Sequence, residues 1–329
     1  MVLFVTGICE RGCFYCPLSE ERRGIDVVYA NERRAESDVD IIEEAHAIGA
    51  LGTGITGGEP LLKRDFVIRS IRSLKREFGE EHHIHLYTGA RPGTSSLRGL
   101  AEAGLDEIRF HPPISEWSEP GWLSETLREA KSTGLLAGVE IPAIRPAPGI
   151  VEAVRRADAF LNLNELEFSE TNQMALRRLG FRSKDYGCGA VGSDAVALDH
   201  FRVEGLKVHF CSSAFKDAVQ LRERLKRRAE RTARPFDLAT EDGTLIYGVI
   251  EAVDRAGAGG FGLGLTSAVE RLKGLGVPEE MYALAEGRIE IAGWILEDIV
   301  SELDETDWVL YFEERYPIEN GPVVERIPL

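Results

Sequence analysis

Short apolar runs alternate with segments of helical pattern through the first half of this chain. Six runs read as strands: VLFVT (2–6), GTGIT (52–56), HIHLYTG (83–89), DEIRFHPP (106–113), LLAGVEIPA (135–143) and NELEFSE (164–170). Helical patterns separate them at 37–50, 64–79, 95–103, 121–133 and 149–159. Because parallel neighbours need a connection of that length, the pattern predicts an α/β fold of six parallel β/α units, a partial (β/α)6 barrel.

This rhythm fades after about residue 175, which divides the chain into three predicted parts. They are a barrel core at 1–175, a junction loop region at 176–206 and a C-terminal α+β extension at 207–329. Strands of the extension are predicted at KVHFCSS (207–213), TLIYGVIEA (244–252) and DWVLYFEERY (307–316). Active groups of a β/α barrel gather at the C-terminal ends of its strands, and an extension that covers this end would determine the substrate.

A glycine-rich stretch, GAGGFG at 257–262, matches the pattern G-x-G-x-x-G. In dinucleotide-binding folds this pattern follows a strand directly and opens a helix. The preceding EAVDRA does not read as a strand that runs into the turn, so we predict a loop rather than a nucleotide site.

Composition and charge limit the compartment and the partners. No apolar run reaches the length of a membrane span and no signal peptide is evident, so we expect a cytoplasmic protein without a membrane partner. With 55 acidic and 39 basic residues, the net charge of -16 repels polyanions. One segment, 216–234, carries eight Lys/Arg against three acids. It reads either as an RNA-binding patch or as the solvated face of a helix.

Three of the five cysteines stand close together in CERGCFYC, at Cys9, Cys13 and Cys16. In a reducing compartment such a group indicates metal or redox chemistry rather than disulfides. A zinc site would need a fourth ligand, and no histidine lies in the first 45 residues. Three thiolates on a four-iron cubane leave one iron open to another ligand. Gly12 is expected to supply the permissive backbone that lets the loop wrap around the cluster.

The C-x3-C-x2-C spacing, with Tyr15 before the third cysteine, resembles the radical S-adenosylmethionine (SAM) superfamily. GGEP, at Gly57, Gly58, Glu59 and Pro60, resembles that family's glycine-rich turn after the second strand. The resemblance implies that the cysteines bind a [4Fe-4S] cluster whose open iron is chelated by SAM. It further implies that GGEP approaches the methionine amino group, that Tyr15 lies near the adenine, and that reductive cleavage of SAM gives a 5′-deoxyadenosyl radical.

Further cofactor contacts follow from the same resemblance. Thr88 occupies part of a position where many relatives have Thr-Asn-Gly, and Glu140 lies in the region of the ribose and adenine. An ion pair of Glu140 with Arg109 is an equal alternative. Glu167 is predicted to face the barrel interior, because Leu166 and Phe168 would form the apolar face of that strand.

Two residues are candidates for catalysis. Cys188 stands between glycines in a polar loop, and His111 follows the fourth predicted strand. Cysteine is also among the residues most often simply buried, which is the alternative for Cys188 and for Cys211.

The whole chain resembles an uncharacterised group related to pyruvate formate-lyase activating enzyme. This implies an oxygen-sensitive oxidoreductase that abstracts hydrogen from a small molecule or a protein, with ferredoxin or flavodoxin as electron donor. Two other functions stay open. One is an RNA-modifying radical SAM enzyme that uses the segment 216–234, and the other is a zinc-stabilised binding protein without enzymatic activity.

Overall fold

The computed structural model describes residues 1–252, 261–285, 287–303, 308–318 and 321–329. Two compact units make up the chain. The first consists of Met1–His46 and Ala50–Val219, and the second of Ala47–Gly49 and Gln220–Leu329. Most of the GAGGFG stretch lies outside the described residues.

The first unit is built on a sheet of nine strands in the order β3-β2-β1-β4-β5-β6-β7-β8-β9. Seven of them, β1 and β4 to β9, run parallel, while β2 and β3 form an antiparallel edge. The strands are β1 Val2–Phe4, β2 Tyr29–Ala30, β3 Arg33–Arg34, β4 Gly52–Thr56, β5 His83–Thr88, β6 Glu107–Phe110, β7 Leu136–Pro142, β8 Phe160–Asn164 and β9 Lys207–Cys211.

Helices connect the parallel strands. They are α1 Asp38–Ala47, α2 Arg64–Phe78, α3 Thr94–Glu102, α4 Leu123–Ser132, α5 Pro148–Arg156, α6 Gln173–Arg178 and α7 Ser193–Phe201, and the one-turn α8 Ser213–Phe215 follows β9. Alternate strand residues, such as Leu86 and Ile108, are fully buried in the core. The residues between them, such as Tyr87 and Arg109, point to the opposite, inner face of the sheet. This inner face is therefore polar, unlike the apolar interior of a closed β/α barrel.

The predicted partial barrel is confirmed, with two corrections to its strands. The sixth strand is Phe160–Asn164 and not 164–170, because Leu161 and Leu163 supply its core-facing positions. Leu166 packs instead in a small separate cluster with Tyr15. The strand at 207–211, placed in the extension by sequence, pairs in parallel with β8 and is the seventh parallel strand of the first sheet.

The junction region at 176–206 belongs to the first compact unit and is not only loop. It contains the end of α6 and the whole of α7, and Ser183 bridges to Ala190 across its glycine-rich part. The predicted helix at 216–234 consists of a π-helical segment, Lys216–Leu221, and the α-helix α9, Arg222–Thr232.

The second unit has the predicted α+β character. Its antiparallel sheet has the order β12-β13-β11-β14-β15, with β10 also paired to β11. The strands are β10 Leu238–Ala239, β11 Leu245–Ala252, β12 Tyr282–Ala285, β13 Arg288–Ile291, β14 Trp308–Arg315 and β15 Val323–Pro328. Helices α10 (Phe261–Gly274) and α11 (Gly293–Ile299) contribute Leu272 and Leu296 to its core.

Candidate functional site

The three clustered cysteines lie on residues 7–24, called here the cysteine loop, which follows β1 at its C-terminal end. Two hydrogen bonds close the loop, from the Gly7 N–H to Ile25 O and from the Gly24 N–H to Gly7 O, each at 2.8 Å. The three thiols are free and half-buried. Three free thiols on one loop are the donor set that suits a cubane with one open iron.

Backbone groups of the cysteine loop organise the thiols. The Cys16 N–H donates to Cys13 O at 3.1 Å, and the Arg11 N–H donates to Cys9 Sγ at 3.4 Å. Gly12 has no positive φ, and a Cβ at this position would meet no atom within 4 Å. The structure therefore shows no need for glycine at position 12, contrary to the expectation from sequence.

The GGEP turn is hydrogen-bonded to the entry of the cysteine loop. The Gly58 N–H donates to Thr6 O at 2.7 Å and the Glu59 N–H to Ile8 O at 2.9 Å. A Cβ on Gly57 would lie 2.6 Å from Thr6 O, and one on Gly58 would lie 2.4 Å from Ile8 O. The two glycines are thus required for the close approach of two backbone segments, which brings both sequence motifs together.

Glu59 and Thr88, both predicted to contact SAM, contact each other. The Thr88 hydroxyl donates to Glu59 Oε1 at 2.7 Å, and the N–H of Leu61 donates to the same oxygen at 3.0 Å. Glu59 Oε2 accepts from the N–H groups of Gly89 and Ala90 at 2.8 and 3.1 Å. Glu59 also caps the turn Pro60–Lys63, which Pro60 opens. The carboxylate therefore joins the ends of β4 and β5.

Tyr15 and His111 form a second connection between the cysteine loop and the sheet. The Tyr15 hydroxyl lies 2.9 Å from His111 Nε2, and His111 Nδ1 lies 2.7 Å from the main-chain oxygen of Glu140. Since a carbonyl only accepts, Nδ1 carries the proton and Nε2 accepts from Tyr15. Burial lowers the pKa of His111, which favours this neutral ring. Burial and the neighbouring Cys13 raise the pKa of Tyr15, so its hydroxyl stays protonated.

Arg11, between the first two cysteines, was not singled out by the sequence. Its Nη1 donates to His111 O at 2.5 Å, and its Nη2 contacts Gly89 O. The guanidinium fills the space beside Gly89, where a Cβ would lie 2.5 Å from the Arg11 Cζ. No spacing rule indicates contacts between residues so far apart in the chain.

Glu140 takes part in a polar network on the inner face. Its two oxygens accept from Arg109 Nη1 at 2.9 Å and from Asn164 Nδ2 at 2.6 Å. Arg109 also donates to the Tyr87 hydroxyl at 2.8 Å. The pairing with Arg109, one of the two alternatives from sequence, is present in the structure.

Glu167 and Cys188 lie close to each other in the segment between β8 and α7. Glu167 Oε1 accepts from Lys216 Nζ at 2.7 Å, and the Phe168 N–H donates to Cys188 O at 2.7 Å. Burial raises the pKa of the Cys188 thiol, and the carboxylate of Glu167 acts in the same direction. Asn172 links this region to the cysteine loop, because its Nδ2 donates to the main-chain oxygens of Tyr15 and Glu167 at 3.0 and 2.9 Å.

The basic segment 216–234 has many of its charges paired within the fold. Lys216 bonds to Glu167 as described, Lys226 Nζ lies 2.5 Å from a Glu241 oxygen, and Arg234 pairs with Asp237 at 2.7 Å. Across the described ranges, no helix is long and apolar enough to span a membrane. Within those same ranges, no three His, Cys, Asp or Glu side chains are grouped to hold a single metal ion.

Comparisons with known proteins match two families. The Radical SAM superfamily model matches residues 3–114, and a Domain of unknown function (DUF8061) matches residues 243–329. A putative glycyl-radical enzyme activating enzyme of Methanocaldococcus jannaschii is 37% identical over 347 residues, which cover 100% of this chain and 89% of the relative. A GTP 3′,8-cyclase of Corynebacterium glutamicum is 29% identical, over 41% of this chain and 36% of the length of that cyclase. Methylornithine synthase has a TM-score of 0.43 and 11% identity, over 64% of this chain and 63% of that structure.

Proposed function

Because this chain belongs to the radical SAM superfamily, in the group related to glycyl-radical enzyme activating enzymes, we propose that it abstracts hydrogen from a protein substrate. Membership of the superfamily makes the chain an enzyme whose cofactors are a [4Fe-4S] cluster and SAM. The zinc-stabilised binding protein, left open by the sequence, is therefore wrong.

Cys9, Cys13 and Cys16 are the proposed ligands of the cluster. The observation that carries this proposal is the hydrogen bonding of the GGEP turn to Thr6 O and Ile8 O, at the entry of the loop that holds all three free thiols. When bound, the reduced cluster and SAM supply the one-electron chemistry that removes hydrogen from an unactivated carbon. The protein itself would contribute by holding the cofactor and the substrate in line with each other.

The residues around the cysteine loop have proposed roles that suit their contacts. Glu59 and Thr88 set the shape of the backbone at the ends of β4 and β5, rather than binding SAM through free polar atoms. Glu140, held by Arg109 and Asn164, presents a fixed polar surface on the inner face for the ribose or the substrate. Tyr15 keeps its proposed place beside the adenine.

A protein substrate is favoured by the full-length relative, which is named as a putative activating enzyme of a glycyl-radical enzyme. We propose that the second unit, which contains the DUF8061 match, selects this substrate. A ferredoxin or flavodoxin would supply the electron, and oxygen would destroy the cluster. We further propose that Glu167 and Cys188 contact the substrate. Lys216 bonds to the Glu167 carboxylate and the Phe168 N–H bonds to the main-chain oxygen of Cys188, so both residues have fixed places after β8.

Deuterium transfer tests the substrate class directly. The protein is incubated anaerobically with SAM, dithionite and either the dialysed macromolecules or the low-mass dialysate from deuterium-grown cells of its source organism. The 5′-deoxyadenosine formed is analysed by mass spectrometry. We expect deuterium in that product, lost after protease treatment of the macromolecules and retained after ribonuclease treatment. Loss after ribonuclease, or transfer only from the low-mass dialysate, would contradict a protein substrate.

A further inference from the structure

His111 is the point where several parts of the candidate site meet. Its ring accepts from the Tyr15 hydroxyl at 2.9 Å and donates to Glu140 O at 2.7 Å. Its main-chain N–H donates to Thr88 O at 2.8 Å, and its main-chain oxygen accepts from Arg11 at 2.5 Å. Both ring nitrogens are thus used by partners of the protein itself, which leaves neither free for proton transfer to a substrate.

The two partners of His111 from the cysteine loop stand on either side of Cys13. Arg11 lies two residues before it and is fixed to the carbonyl oxygens of His111 and Gly89. Tyr15 lies two residues after it and is buried among Leu166, Leu176 and Ala190. The main-chain oxygen of Tyr15 also accepts from Asn172 at 3.0 Å. The segment with the middle cysteine is therefore attached on both sides to His111, the residue that directly follows β6.

We infer that His111 is a positioning residue that holds the cysteine loop in its cluster-binding conformation through Tyr15 and Arg11. This inference rests on the proposed role of Cys9, Cys13 and Cys16 as cluster ligands. Ordering a loop costs conformational entropy, and contacts made before the cluster arrives lower the cost of binding it. Hydrogen bonding and charge near cluster sulfurs also set the reduction potential, so the same contacts influence the bound cluster.

The test combines an apo measurement with a cluster measurement. Amide hydrogen exchange across residues 8–18 is followed in the cluster-free protein and in Tyr15→Phe, His111→Ala, His111→Gln, Arg11→Gln and Tyr15→Phe/His111→Ala. Tyr29→Phe is the matched tyrosine control and exposed Arg98→Gln the matched arginine control. Iron content, electron paramagnetic resonance and the midpoint potential are then measured after anaerobic reconstitution.

We expect exchange in residues 8–18 to be roughly tenfold faster in Tyr15→Phe, His111→Ala and Arg11→Gln, as the loss of one ordering hydrogen bond would give. Exchange in the double variant should be as fast as in His111→Ala, because both single changes remove the same hydrogen bond between Tyr15 and His111. His111→Gln, whose amide oxygen can accept from Tyr15, should restore slow exchange. The cluster of the three impaired variants should be less complete and shifted in potential, while both controls match the parent.

Two results would overturn the inference. One is unchanged loop exchange and cluster properties in Tyr15→Phe and His111→Ala, and the other is additive effects in the double variant. A parent protein that orders its loop as expected but takes up no cluster would instead refute the proposed function, and the loop-exchange data would still report on the hydrogen bonds.

Discussion

At the residue scale, the Glu59 carboxylate joins two segments of backbone, since its oxygens accept from Leu61, Thr88, Gly89 and Ala90. Glu59→Gln would turn an amide N–H₂ toward at least one of these donors. We expect this change to destabilise the folded protein by about 1–3 kcal/mol, the cost of leaving buried donors without an acceptor.

The measurement is the urea concentration at the midpoint of unfolding of the first unit, with unfolding monitored by circular dichroism. Glu119→Gln is the matched control, because Glu119 is exposed. If Glu59→Gln and Glu119→Gln unfold at the same urea concentration as the parent, the four hydrogen bonds do not hold this part of the fold.

The inner-face His85 should make folding stability depend on pH. Burial, assisted by the charge of Arg109, lowers the pKa of His85 to about 3. In the unfolded chain this ring takes up a proton below its ordinary pKa of about 6.5, whereas in the folded protein it stays neutral until about pH 3. The contribution of the neutral ring to stability is therefore fully present above about pH 6.5 and decreases as the pH falls toward about 3. Between pH 7 and pH 5 the loss from His85 is about 2 kcal/mol.

Urea unfolding of the cluster-free protein at pH 7 and pH 5 measures this loss. His85→Asn should show a smaller decrease than the parent, while exposed His83→Asn should behave like the parent. Burial also lowers the pKa values of His82 and His111, so part of the decrease will remain in His85→Asn. Equal decreases in the parent and His85→Asn would refute the assignment.

At the scale of elements, the contact between the GGEP turn and the cysteine loop is the critical one. A Cβ on Gly58 would lie 2.4 Å from Ile8 O, a main-chain atom that cannot move without moving the loop. We expect Gly58→Ala to remove most of the cluster bound after anaerobic reconstitution. Gly12→Ala, inside the same loop, should keep it, because a Cβ there would meet nothing within 4 Å. Similar iron content in Gly58→Ala and Gly12→Ala would show that this approach is unimportant.

The strands show what local pattern can predict. The first five parallel strands follow from apolar runs whose alternate residues, such as Ile84 and Leu86, fill the core. The sixth strand was predicted too late in the chain, because NELEFSE alternates as well as Phe160–Asn164 does. Its apolar residues pack on Tyr15 instead, a tertiary contact that alternation does not reveal.

The candidate site was predicted where it depends on spacing and not where it depends on distant contacts. The cysteine motif and GGEP are local, and their neighbourhood follows from the parallel order of β1 and β4. The bonds of Arg11 and Tyr15 to His111 join residues 100 and 96 positions apart. No periodicity contains such pairs, so the sequence indicated His111 only as a candidate for catalysis and could not indicate its contacts with the cysteine loop.

At the scale of the whole molecule, charge argues against a nucleic-acid substrate. The net charge of -16 repels polyanions, and three basic residues of the segment 216–234 form ion pairs with acids. We expect no shift of bulk tRNA in a native gel at low salt. A shift that disappears as salt rises would support the RNA-modifying alternative instead.

We propose that Cys9, Cys13 and Cys16 hold the cluster at which SAM is cleaved. The most direct measurement is iron content and 5′-deoxyadenosine formation under anaerobic conditions with dithionite and SAM, in the parent, Cys13→Ala and the matched control Cys211→Ala. The parent and Cys211→Ala should bind about four irons and form the product, and Cys13→Ala should do neither. A Cys13→Ala protein that still contains a full cluster and forms 5′-deoxyadenosine at the parent rate would contradict this proposal.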